Sequence, residues 1–309
     1  MNNKESNFVS AVICLHEGDT NVISFLEMIN NILNENFKKY ELICVNDEAG
    51  DEIVNDVRAF KAEHDECIIS IVNMGFCHGL EAAMNAGIDL SIGDFVFEFD
   101  SCFIDYDKSL IMNIYKKSLQ GYDIVSAVPS KSKTVSKLFY KVFNHFSETE
   151  NDITTERFRI ISRRAINRVD SYSKTIPYRK AVYASSGLNI TSIRYDVCTD
   201  KISGKKFDDV EKNNTAIDSL ILFTNTAYKF SFGVSIIMAI FMILTGVYTI
   251  VSYLGVNKPV AGWAPIMGLC SIGFFAIFLV LTVIIKYLDM LLKLVFRKQK
   301  YSISSIEKL

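Results

Sequence analysis

Between Phe230 and Asn257 the sequence has no charged residue, and between Pro259 and Ile285 it has none again; Lys258 alone separates the two runs. Each run exceeds the ~20 apolar residues that span a bilayer, whereas a core helix of that length normally carries some charge. Two transmembrane helices are therefore expected, over 230–254 and 261–285. The connection Gly255-Val-Asn-Lys-Pro-Val-Ala-Gly262 is short and rich in turn formers, so the pair forms a hairpin with both outer ends on one side. Lys229 precedes the first run, and Lys286, Lys293, Arg297, Lys298 and Lys300 follow the second. The positive-inside rule then places both termini in the cytoplasm, with 286–309 as a basic tail, and the localisation is a cell (inner or plasma) membrane. The polar start Met1-Asn-Asn-Lys-Glu-Ser does not resemble a signal peptide.

The remaining residues read differently. Val9–Leu15, Tyr40–Val45, Cys67–Val72, Phe95–Phe99 and Tyr122–Val128 are short apolar runs of strand length. Between them lie helical patterns over 20–34, 53–62, 79–90 and 106–120. Strands alternating with helices of this length predict βαβ units and a mainly parallel α/β sheet. No Gly-x-Gly-x-x-Gly follows the first strand, which disfavours a dinucleotide fold. Polar residues instead close successive strands: His16-Glu17-Gly18, then Asn46-Asp47, then Asp100. In such sheets the carboxyl ends of the strands line the ligand crevice.

The run Gly93-Asp-Phe-Val-Phe-Glu-Phe-Asp100 carries the most chemistry. Glu98 and Asp100 stand two apart on a strand and so share a face, a pattern suited to a hard cation and, through it, a phosphate. The seven cysteines are scattered, without a Cys-x-x-Cys pair, which argues for reduced thiols rather than zinc or a disulfide framework. A formal net charge of -2 leaves no footprint for nucleic acid.

Four segments in order now resemble glycosyltransferase family 2. Val12-Ile-Cys-Leu-His-Glu17 is similar to its first strand, and Val45-Asn-Asp-Glu-Ala-Gly-Asp51 to its Val-Asp-Asp-Gly-Ser-x-Asp. His78–Gly87 is similar to its Gly-x-x-Ala-Ala-Leu-x-x-Gly helix, and Gly93–Asp100 to the strand that enters Asp-x-Asp. Downstream, Arg157-Phe-Arg-Ile-Ile-Ser-Arg-Arg-Ala165 resembles Asp-Phe-Arg-Leu-x-x-Arg-x-Val, and the double-span C-terminus is shared with the membrane-anchored polyprenyl-phosphate branch. The resemblance implies a GT-A fold over 1–207 and an inverting transfer from a nucleotide sugar. It implies that Glu17, Asp47, Gly79 and Asp100 contact the donor, with Asp47 at the nucleobase, and that Asp100 helps hold Mg²⁺ or Mn²⁺.

The sequence also departs from the pattern. The second Asp of Asp-x-Asp falls on Cys102, a poor ligand for a hard cation, so Glu98 is the alternative partner of Asp100, with Asp105 and Asp107 also available. The family's Asp before Phe-Arg is Arg157; Glu156 is the nearest carboxylate and, with Arg159, the catalytic candidate. Arg163 and Arg164 either bind phosphate or form salt bridges. The acceptor-phosphate segment loses its arginines but keeps Lys201, Lys205 and Lys206.

Two further segments read as amphipathic helices at the bilayer surface: 131–147, with Lys133, Lys137 and Lys141 opposite an aromatic stripe, and 208–229 leading into the first span. Gly233, Gly246, Gly268 and Gly273 would permit close helix contacts with another copy in a homo-oligomer. The expectation is a membrane-anchored, metal-dependent glycosyltransferase acting on polyprenyl (undecaprenyl) phosphate. Two rivals stay open: a sugar-hydroxyl acceptor, and an inactive nucleotide-binding scaffold.

Overall fold

The structure is a computed structural model that describes residues 4–19, 21–130, 140, 144, 153–172, 178–198, 226–254, 262–295 and 301–309. Most of the interfacial segment 131–147, residues 208–225, and Lys201, Lys205 and Lys206 lie outside the described residues. The chain divides into two compact units, Met1–Ile217 with Phe296–Leu309, and Asp218–Val295.

The first unit is built on one eight-stranded sheet. Its strands are β1 (Glu5–Leu15), β2 (Phe37–Asn46), β3 (Ile68–Met74), β4 (Phe95–Phe99), β5 (Ile124–Pro129), β6 (Phe158–Ser162), β7 (Ile190–Tyr195) and β8 (Ile303–Lys308). The spatial order is β7-β5-β6-β4-β1-β2-β3-β8. Neighbours β3-β2-β1-β4 are parallel, as are β5 and β7; β6 and β8 run antiparallel to their neighbours. The mainly parallel sheet matches the sequence expectation, and the first five strands fall on the five apolar runs.

Helices α1 (Val22–Asn36), α2 (Asp51–Glu63), α3 (Leu80–Leu90), α4 (Ser109–Ser118), α5 (Arg163–Tyr172) and α6 (Arg179–Ala184) pack on the sheet. Successive residues of β1 are buried on both faces, as a central parallel strand requires. Val9, Ala11, Ile13 and Leu15 join a core with Phe25, Val57 and Ile114. Val12 and Cys14 join the opposite core with Ala83, Met84 and Val169. Gly87 lets α3 lie close to the sheet, since a Cβ there would be 2.4 Å from Val12 Cγ1 and 2.7 Å from Val45 Cγ2.

Strand order reverses at β1, whose partners β2 and β4 lie on opposite sides. This switch point opens a crevice at the carboxyl ends of β1, β2 and β4.

The expected tail departs from the sequence reading. Residues 303–308 form β8, the antiparallel edge strand beside β3, with Gly75 N–H donating to Ser302 O at 2.9 Å. An edge strand with mostly exposed side chains needs no apolar run, which is why Ile-Ser-Ser-Ile-Glu-Lys carries little strand signal.

Among the described residues, the second unit holds α7 (Thr226–Leu254) and α8 (Trp263–Val295). Stretches Tyr228–Ser252 and Ile266–Leu288 are long and apolar enough to cross a membrane, and very little of either is buried. A helix that served a soluble core would bury its apolar face. Ser231 and Thr282 hydroxyls meet at 2.8 Å between the two helices, and Tyr248 packs edge-on to Trp263. Among the described residues, and apart from the helix's own backbone, no atom lies within 4 Å of a Cβ built on Gly233, Gly246, Gly268 or Gly273.

Candidate active site

The ends of β1, β2 and β4 supply the crevice, with the end of β3 beside them. After β1 the chain turns tightly: Gly18 has φ 80°, and Asp19 accepts the His16 N–H at 3.0 Å, which leaves Glu17 exposed on the turn. After β2, Asn46 accepts the Ala49 N–H at 2.9 Å and donates to Asn73 at the end of β3. Asp47 follows, its carboxylate accepting the His78 and Gly79 N–H groups, each at 2.8 Å. Gly79 has φ 82° and caps α3, a backbone that favours glycine, so Asp47 sits at the positive end of that helix.

At the end of β4 the two expected acids part company. Glu98 is in register with Arg159 of β6 and is 0% exposed. One of its oxygens accepts the Tyr183 hydroxyl at 2.8 Å; the other faces Arg179 Nη1 and, at 3.7 Å, Arg159 Nη1. It is therefore an internal counter-ion, not the cation ligand expected from the sequence. Asp100, past the strand end, keeps 22% of its side chain exposed. Arg179 Nη2 donates to it at 2.7 Å, and Arg159 Nη2 lies 3.7 Å away. Burial alone would raise the Asp100 pKa, but Arg179, Arg159 and Lys180 outweigh it and hold the carboxyl well below the usual range.

Arg159 and Glu156, the catalytic candidates, do join this cluster, with Arg159 Nε 3.0 Å from Glu156. Both belong to an ion-pair network, and Arg159 is fully enclosed. Arg179 also bonds Glu81 of α3 through Nε and its own backbone N–H, both at 2.9 Å. Burial and the Glu98 charge push the Tyr183 hydroxyl far up, so it stays a donor. Sequence reasoning missed Arg179, Tyr183 and Glu81. The signal lay in α6 itself, where Arg179 and Lys180 open an otherwise apolar helix.

Arg157, standing where the family has an acid, makes a two-pronged contact with Asp105, at 2.9 Å through Nε and 2.5 Å through Nη2. Tyr195 donates to the same carboxylate at 2.8 Å. Asp105 is thereby withdrawn from cation binding, and Cys102 is buried.

Arg163 and Arg164 lie at the other edge of the sheet. Because β6 runs antiparallel, its start faces the crevice and its end lies beside Phe95, at the beginning of β4. There Arg163 donates to the Gly93 and Ser91 carbonyls at 2.9 and 2.8 Å, and Arg164 pairs with Asp123 at 2.7 Å. Of the two readings left open for this pair, phosphate contact or ion pairing, Arg164 takes the second, while Arg163 clamps backbone at the edge away from Asp100.

Residues 12–183 match the family described as Glycosyl transferase family 2. The chain belongs to glycosyltransferase family 2. It is 24% identical over 267 residues to the uncharacterized glycosyltransferase sll0501 of Synechocystis sp., covering 84% of this chain and 83% of that one. It is 27% identical over 126 residues to the undecaprenyl-phosphate 4-deoxy-4-formamido-L-arabinose transferase of Shewanella sediminis, covering 41% and 38% of the two chains. Among solved structures, the glucosyl-3-phosphoglycerate synthase of Mycobacterium tuberculosis superposes with TM-score 0.51 at 11% identity, over 71% of this chain and 79% of that one. That structure holds Mn²⁺, UDP-glucose and phosphoglyceric acid. The shared fold is the GT-A type, and the family 2 member described here is a glycosyltransferase.

Proposed function

We propose that this family 2 enzyme transfers a sugar from a nucleotide sugar to polyprenyl phosphate at a membrane surface, feeding cell-surface polysaccharide or glycolipid assembly. One observation carries the choice of acceptor: the carboxylates around Asp100 are committed to arginines. Glu98 and Glu81 face Arg179, and Glu156 faces Arg159. A sugar hydroxyl needs a general base to take its proton, whereas a phosphate arrives already ionised. The acceptor oxygen attacks the anomeric carbon; the new C–O bond forms as the bond to the donor's diphosphate breaks, and the nucleoside diphosphate leaves with the electron pair.

Asp100 keeps part of its side chain exposed at the end of β4, and with the donor's phosphates it would supply the one protein carboxylate on a cation, a mode Mg²⁺ commonly adopts. When bound there, Mg²⁺ or Mn²⁺ would offset the charge that gathers on the leaving diphosphate. Asp47 and the turn bearing Glu17 stand at adjacent strand ends, where the donor's nucleoside would lie.

The helix pair supports a lipid acceptor. A groove of about 750 Å³ on α7 and α8 is walled by Phe232, Ile236, Phe275 and Leu279, with Lys286 and Tyr228 at one end. Those two residues stand where the spans end, so the groove joins a headgroup-level cation to hydrocarbon depth. The basic residues flanking the spans orient both chain ends toward the cytoplasm, where nucleotide sugars are made available.

The test is transfer of labelled sugar into organic-extractable lipid by membranes holding the full chain, with polyprenyl phosphate and a panel of sugar nucleotides. The expected result is label in lipid, lost with Asp100→Ala and with a chelator. Label only in a sugar-hydroxyl product would overturn the acceptor assignment, and no transfer with any donor would overturn the proposal as a whole.

A further inference from the structure

We propose that loop 75–79, held in place by the C-terminal strand β8, forms the subsite for the donor's nucleobase, with the Phe76 ring as its stacking platform. The inference rests on the reading that the crevice takes a nucleotide sugar. Phe76 is 59% exposed although it lies directly beyond β3, one strand from Asp47. One face of its ring stacks on His78, centroids 3.8 Å apart and planes 22° from parallel. Much of the ring remains open to solvent, and a flat aromatic face beside a nucleotide crevice suits a base whatever its identity.

What fixes this platform comes from the far end of the chain. The Ser302 backbone N–H donates to His78 Nε2 at 3.1 Å. An amide N–H meets only a bare ring nitrogen, so the His78 proton sits on Nδ1, which donates to the Phe76 carbonyl. The His78 N–H in turn holds Asp47. Gly75 is bonded to Ser302 O, and a Cβ on it would lie 2.7 Å from Ser302 Oγ. Tyr301 bonds Asp89 at the end of α3, and Asn73 donates to Ser305 and Glu307 at 3.0 and 2.9 Å. The strand that returns after the two apolar helices is thereby tied to both sides of the loop. Phe76 is the contact residue; His78 and Ser302 are positioning residues.

The experiment measures affinity of the purified full chain in detergent for UDP, GDP, CDP and dTDP by calorimetry, alongside its melting temperature. For whichever nucleotide the wild type binds, Phe76→Ala should weaken binding at least about fivefold, the loss of one base stack. Ser302→Pro removes the N–H and should weaken it about fivefold, while Ser302→Ala keeps the N–H and should bind like wild type. A merely structural strand would lower melting in Ser302→Pro without moving nucleotide affinity below the transition. Wild-type affinity in both Phe76→Ala and Ser302→Pro would overturn the inference and leave the donor reading standing. Absence of nucleotide binding by wild type would overturn the donor reading and this inference with it.

Discussion

Arg179 places Nη2 2.7 Å from Asp100 Oδ1 while Nε of the same guanidinium reaches Glu81 at 2.9 Å and Nη1 faces Glu98. One planar fork from α6 thus ties the helix after β3 to the strand that ends in the crevice acid. An arginine suits this role because its donors are fixed in one plane and its charge survives burial.

Removing one partner from such a buried network leaves an uncompensated charge. Glu98→Ala should lower stability by about 3–5 kcal/mol, because Arg179 and Arg159 would remain enclosed without their shared counter-ion. In a unit of this size that corresponds to a melting temperature lower by roughly 6 °C or more, read by thermal unfolding of the full chain in detergent. Melting within a degree or two of wild type would contradict the counter-ion role and reopen Glu98 as a cation ligand.

The close approach of α3 makes a second expectation. Gly87→Ala would drive a methyl into Val12 and Val45 on neighbouring central strands, neither of which has space to retreat, and should cost about 1–3 kcal/mol. Gly246→Ala on α7, where no neighbour among the described residues lies within 4 Å, serves as the control and should not lower melting.

Arg157 answers a question of repair. Replacing it by the family's acid, Arg157→Asp, would set a second carboxylate beside Asp105 and deprive that buried acid of its two-pronged partner. We expect a loss of stability and no gain in transfer. A rise in transfer rate with Arg157→Asp would show that a missing base limits the enzyme and would favour a hydroxyl acceptor.

These residues show what the sequence could reveal. Apolar runs located β1 to β5 because central parallel strands are buried on both faces and leave unbroken hydrophobic signatures, as in Val9–Leu15. The position of Asp100 and Asp47 at strand ends was legible for the same reason. Period-two reasoning put Glu98 beside Asp100 on one face, but it does not report depth: Glu98 is enclosed by Arg159, Arg179 and Tyr183, and Asp100 lies past the strand end. The place of Arg163 was not legible because the direction of β6 does not show in local spacing, and reversing a strand moves its final residues to the opposite edge of the sheet. Arg179 and β8 depend on contacts across long stretches of chain, Glu98 with Arg179 and Asn73 with Glu307, which no local pattern encodes.

The attachment of β8 should be sensitive to acid through Glu307. Hydrogen bonds from Arg58 and Asn73 lower its pKa below the usual glutamate value, against a small opposing effect of burial. A carboxylate whose folded value is depressed contributes fully above its unfolded value, about 4.3, and that contribution is lost as pH falls through the lower folded value. Docking of β8 should therefore be constant from neutral pH down to about 5 and weaken below about 4. The Arg58–Glu307 pair is partly exposed, so high salt should weaken docking in the same direction. Amide exchange over residues 70–74, followed against pH, reads the effect directly, since those amides lie on the strand that β8 covers. Glu307→Gln should flatten the acid response while lowering protection at neutral pH. An unchanged profile in that variant would assign the acid response to another group.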